Sequence, residues 1–287
     1  MKSYLIISAS ALLLSFVFIF SDKYREKYGS GSDAALKFTA CSHFAGLIAL
    51  LIINKFKVEF TVFTAVVAAA AAVDVILFNL CSLKALGKTN LSKYSVFSMI
   101  GGMSLPFAAG IMFFHEELTV GKIICFALIL FSLALTAEKE DKKGAFLYYA
   151  GVFVTNGLYG VINKFFSASD FNKTSDAGYS IFVEGFIVIL SLLLLIFAKD
   201  RVGLIKGSGL IYSGGYGVMC AVGNFLLLTA LRFLPASAQY PFVTGGVMII
   251  STIYSFFTPA KPGKKQIASV ILSIASIFAL ICFNKTL

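Results

Sequence analysis

The 287-residue chain has no tryptophan, two histidines and five prolines, and only 13% of its residues are charged. The scarcity of charge excludes an ordinary soluble domain, which carries about a quarter charged residues and needs them to face water on every side. His43 and His115 are the two histidines, and the five cysteines form no C-x-x-C pair. Cys41, Cys81, Cys125, Cys220 and Cys282 all lie in apolar stretches, where they read as small buried hydrophobes and not as a disulfide framework or metal site. His115-Glu116 opens like a metalloprotease helix, but Thr119 stands where the second histidine would be needed, which excludes a zinc peptidase. A phosphate loop and a serine-hydrolase elbow are also missing, so the chain is not expected to be an enzyme, to use a cofactor or to hydrolyse ATP.

What is present is apolar: 59% of residues are hydrophobic, 30 of them Phe. Mean hydropathy is +0.90. The apolar residues come in ten blocks, at about 3–21, 34–54, 60–84, 93–114, 120–137, 145–166, 178–198, 207–231, 237–257 and 266–284. Blocks near 20 residues match the hydrocarbon thickness crossed by a helix and exceed barrel strands. An all-α membrane protein of ten transmembrane helices is therefore predicted, its first segment a retained span without a cleavage site. The net charge of +10 sits in short joints: DKYREK at 22–27, NKFK at 54–57, EKEDKK at 138–143, AKDR at 198–201 and AKPGKK at 260–265. That placement makes lipid headgroups, and not nucleic acid, the expected partner. With tryptophan missing, Tyr4, Tyr24, Tyr28, Tyr148 and Tyr149 are expected to anchor helix ends at the interface.

The chain repeats itself. Asn79 falls on Asn224 at an offset of 145, carrying Ala85-Leu86 onto Ala230-Leu231 and Ser92 onto Ser237. A one-residue slip then places Gly101-Gly102 on Gly245-Gly246, Phe113 on Phe257 and Ile123 on Ile267. Lys23 matches Lys164 at an offset of 141. Two repeats are predicted, 1–143 and 144–287, of five spans each. An odd number of spans makes the second repeat enter the membrane from the opposite side. Inverted repeats of this kind place a solute site at the midplane between the halves and expose it alternately to either side.

Leu105-Pro106-Phe107 followed by Phe113-Phe114-His115-Glu116-Glu117-Leu118-Thr119 resembles the end of the fourth helix in EamA-like members of the drug/metabolite transporter superfamily. Ala230-Leu231-Arg232-Phe233-Leu234-Pro235-Ala236-Ser237 is similar to that family's joint between the third and fourth, or eighth and ninth, helices. The resemblance implies ten spans in a five-plus-five arrangement. It also implies a cavity lined by the third, fourth, eighth and ninth helices and the first helix of each half. Ala260 and Lys261 stand where Glu116 and Glu117 sit in the first repeat, a departure from the family pattern.

Polar groups at membrane depth are costly and mark function. Asp74, after the run Ala68–Ala72, and Glu184 are candidate proton-coupling or cation-binding carboxylates. The structural alternative is a hydrogen bond or an ion pair with Lys84 or Lys164. Asn156, Tyr159 and Asn163 share one helical face. Tyr216, Cys220 and Asn224 share another. With Asn79, Tyr94, Gln239, Tyr240 and Thr244 they are candidate substrate-binding residues, interhelical hydrogen bonding being the other reading. Gly101, Gly102, Pro106, Pro241, Gly245 and Gly246 are candidates for hinges or close packing. Thr119 is the expected cap of the fifth span, with the acids near its positive end.

The expected function is secondary transport of a small metabolite by alternating access, with protons as a candidate coupling ion, in the cell membrane of a bacterium. The alternatives are proton-coupled efflux of cationic or aromatic compounds, or a non-transporting membrane scaffold. Lysine and arginine counts place both termini outside the cytoplasm, whereas the family resemblance implies both inside.

Overall fold

A computed structural model of the chain describes residues 2–29, 31–86, 91–136, 146–197, 207–257 and 263–283. Ten α-helices account for nearly all of them: α1 (Lys2–Tyr28), α2 (Ser32–Ile53), α3 (Val62–Leu86), α4 (Leu91–Met112), α5 (Val120–Thr136), α6 (Phe146–Ala168), α7 (Asp176–Ile196), α8 (Ser208–Ala230), α9 (Ala236–Ser255) and α10 (Lys264–Cys282). The joints EKEDKK and AKDR, residues 260–262 of AKPGKK with Ala260 and Lys261, and the boundary between the repeats lie outside the described residues.

Nine of the ten blocks match their helices within about two residues. The exception is DKYREK, expected as a joint but wound into the last turns of α1. Nothing in that stretch breaks a helix; the stop is Gly29, whose φ of +81° is the left-handed turn that glycine adopts freely. Of the tyrosines expected near the headgroups, Tyr24 and Tyr149 are buried against neighbouring helices.

Six helices are long and apolar enough to cross a membrane, namely α1, α2, α3, α7, α8 and α10. The apolar stretches of α4 and α5 are shorter. α6 and α9 carry the interior polar groups described below. Outward faces remain apolar, with Leu192, Leu193, Ile271, Ile274 and Phe278 exposed, as lipid contact requires.

Pairs of helices from opposite halves make most of the packing. α1 lies on α8 and α9, α6 on α3 and α4, α2 on α7 and α8, and α5 on α10. The last pair is stitched by the buried Ser132 Oγ, which donates to the Ser269 carbonyl at 2.7 Å and lies 3.3 Å from Ser273 Oγ. Some helix crossings are close enough to demand glycine. A Cβ on Gly101 would stand 2.2 Å from the Phe153 carbonyl oxygen, and one on Gly217 only 1.8 Å from that of Ser42. Among the sequence candidates for hinges, Gly101, Gly245 and Gly246 serve close packing: a Cβ on Gly245 would meet Ile129 at 2.9 Å, and one on Gly246 would meet Ala11 at 3.0 Å. Pro106 and Pro241 lie inside α4 and α9 without ending either helix.

Candidate functional site

Between the halves lies a cavity of about 290 Å³. Its wall comes from α1, α2, α3, α4, α6, α7, α8 and α9, with no lining residue from α5 or α10 among the described residues. The resemblance implied α1, α3, α4, α6, α8 and α9. The structure adds α2 through Phe38, Thr39 and His43, and α7 through Glu184 and Ile187. The mouth lies at the C-terminal end of α1, where Arg25 and the exposed Gly29 line it.

Most of the polar stripes reach this cavity. Asn79, Tyr94, Asn156, Tyr159, Tyr216, Asn224, Tyr240 and Thr244 all line it, and so do Asp74, Glu184 and Gly102. Several are held in place. Asn79 Nδ2 donates to Thr39 Oγ1 at 3.1 Å, and Asn156 Nδ2 to the Ser98 carbonyl at 2.6 Å. The Tyr94 hydroxyl donates to Ser82 at 3.0 Å and that of Tyr240 to the Gly160 carbonyl at 3.1 Å.

Two predicted lining residues do not line it. Asn163 is one helical turn too deep and accepts from the Tyr179 hydroxyl at 3.0 Å in the packed interior. Gln239 is fully buried and donates from Nε2 to the Leu227 carbonyl at 2.6 Å. Both are interhelical polar ties, which asparagine and glutamine make well away from water.

The two interior carboxylates differ in environment. Glu184 meets His43 Nδ1 at 2.6 Å across the α2–α7 crossing, with both side chains buried. The expected lysine partners lie elsewhere. Lys84 is exposed and sits over the Tyr148 ring, and Lys164 pairs with Glu116. Asp74 is 4% exposed, and neither carboxylate oxygen has a hydrogen-bond partner among the described residues.

At the end opposite the mouth the halves are tied together. The chain turns at His115, with φ of +51°, and aims Glu116 at the N-terminus of α9 instead of at α5. Its carboxylate accepts from the amides of Ala236 and Ser237 at 2.7 and 2.8 Å and from the Ser237 hydroxyl at 2.6 Å. Lys164 Nζ completes the set at 2.7 Å. Burial pushes the Glu116 carboxyl up, but Lys164 and Ser237 outweigh it and hold it below its ordinary value. Arg232 grips Asp176 with two nitrogens, each at 2.7 Å, at the same end. The expected cap of α5 is present, Thr119 Oγ1 accepting from the Lys122 amide at 3.3 Å.

His43 and the reach of Glu116 are the functional features that sequence reading misses. His43 sits in an apolar block and carries no motif. Its one visible signal is that it is a titratable side chain at membrane depth.

No family model matches the chain, and no curated protein matches it. Among solved structures 28 chains match. One protein of known crystal structure superposes with a TM-score of 0.77 at 12% identity, over 97% of this chain and 96% of its own. At that identity the likeness establishes the fold alone.

Proposed function

We propose that the chain is an integral membrane carrier, which moves a small solute between the two faces of a bilayer by alternating access. The observation that carries this reading is the cavity: about 290 Å³, walled by eight helices from both halves and lined by Asn79, Asn156 and Asn224. A volume near the lower end of ligand pockets suits a small metabolite.

Three features support the reading. The cavity has its mouth at one end while the Glu116–Lys164 tie joins the halves at the other, which is the arrangement of one access state. The helix pairing is nearly unchanged when each helix is exchanged for the one five positions later: α1 on α8 becomes α6 on α3, and α2 on α8 becomes α7 on α3. Finally, α1 ends at the mouth whereas α6 ends beside Glu116. Both of the last two features are what inverted five-helix repeats require, and alternating access in such folds is a rocking of one repeat on the other.

The test is counterflow in proteoliposomes. Vesicles preloaded with pooled amino acids, amines, nucleosides or sugars should take up labelled solute from at least one pool, saturably and above empty vesicles. Uptake from no pool, with protein shown to be folded by its melting curve, overturns the carrier reading.

A further inference from the structure

The cavity has one acid that meets no hydrogen-bond or ion-pair partner among the described residues. The other buried carboxylates are each matched: Glu184 by His43, Glu116 by Lys164 and Asp176 by Arg232. Asp74 lines the cavity from α3, is 4% exposed, and has two unpartnered oxygens among the described residues. An uncompensated carboxylate away from water is costly, and a membrane protein retains one where a cation arrives.

The surroundings select the kind of cation. Tyr159, Tyr216, Tyr240, Phe18, Phe38 and Phe78 wall the same cavity. Aromatic faces attract an ammonium and bury an apolar body. The basic side chains of the lining are His43, held on Glu184, and Arg25 at the mouth, so the deep wall around Asp74 is acidic and aromatic. An inorganic cation would need several oxygen ligands. Among the described residues no group of three His, Cys, Asp or Glu side chains gathers to hold a metal ion.

The geometry points to a small organic amine as the solute: a protonated ammonium on Asp74, with its apolar or aromatic portion between the tyrosine and phenylalanine rings. This deepens the carrier reading and rests on the same cavity.

The experiment is direct binding to the purified full chain, by calorimetry and thermal shift. The probes are phenethylamine, its neutral analogue 2-phenylethanol, its acidic analogue 3-phenylpropionate, and sodium chloride alone. Phenethylamine should bind saturably and at least tenfold more tightly than either analogue. In Asp74→Asn its affinity should fall about 10- to 100-fold, the scale of a charge-assisted hydrogen bond, while 2-phenylethanol is unaffected. The variant should melt no lower than the parent, since it removes an uncompensated charge, so loss of fold is separable from loss of the site. The inference is overturned if amine and alcohol bind alike, if Asp74→Asn retains amine affinity, or if sodium alone stabilises as the amine does. Failure here and failure of transport are distinct. Counterflow of some other solute without amine binding sinks the amine assignment alone. Asp74-dependent amine binding without flux in vesicles supports the amine site and sinks the carrier reading.

Discussion

Glu116 and Lys164 face each other at 2.7 Å and join the two halves at the end of the molecule away from the cavity mouth. The repeat carries Lys164 onto Lys23 and Ser237 onto Ser92, but it puts Ala260 where Glu116 would be. The sequence thus provides the acid of this tie at one end only, and in the proposed carrier the tie would favour the state open at the other end.

Breaking the tie should unseat that bias. In Glu116→Gln, a cysteine introduced at Asn163 on a cysteine-free background should react with a water-soluble maleimide several-fold faster than in the parent. An unchanged rate would show that the tie holds the fold and does not select between states.

The same carboxyl sets a pH dependence. Its folded value is held below the unfolded one, so its contribution to stability is complete above the ordinary carboxylate range and is lost as pH falls through the lowered value. Melting temperature should fall on acidification through that window, and the fall should be shallower in Glu116→Gln. At neutral pH the variant should lose about 3 kcal/mol, as expected when one partner of a buried pair is removed.

His43 and Glu184 should behave as a unit. Each of His43→Gln and Glu184→Gln leaves a buried partner without its native hydrogen-bond mate. The double variant should be less destabilised than the sum, with a coupling energy of about 0.5–3 kcal/mol in a double-mutant cycle read by thermal melting.

Cavity and packing asparagines should separate by phenotype. Asn224→Ala, at the wall, should raise the half-saturating solute concentration with little change in melting temperature. Asn163→Ala should lower stability by about 1–3 kcal/mol, because the Tyr179 hydroxyl is left buried and unpaired. Equal effects on melting would remove the distinction.

Gly217→Ala should be severe. The added methyl would overlap the Ser42 carbonyl oxygen at 1.8 Å, where backbone meets backbone and no side chain can yield. Overpacking costs about 1–3 kcal/mol or more, and the yield of monodisperse protein should drop. Gly185→Ala, with nothing within 4 Å of its Cβ, should be neutral or mildly stabilising.

How much of this is legible in the sequence follows from the range of each interaction. Hydrophobic block lengths mark ten helices because spanning lipid is a property of one segment at a time. Helix faces are local too, so Tyr216, Cys220 and Asn224 are grouped before any coordinates exist, and all three reach the cavity. Depth along a face is not local, and Asn163, on the predicted stripe, ends in packed protein one turn past the wall.

Pairings across the fold are settled by packing alone. His43 and Glu184 are 141 residues apart and Glu116 and Ser237 are 121 apart, so no spacing rule joins them. Residue types at membrane depth determine that some polar groups must find partners there. The crossing of α2 with α7, and of the α4–α5 joint with α9, decides which carboxylates are satisfied and leaves both Asp74 oxygens without a partner among the described residues.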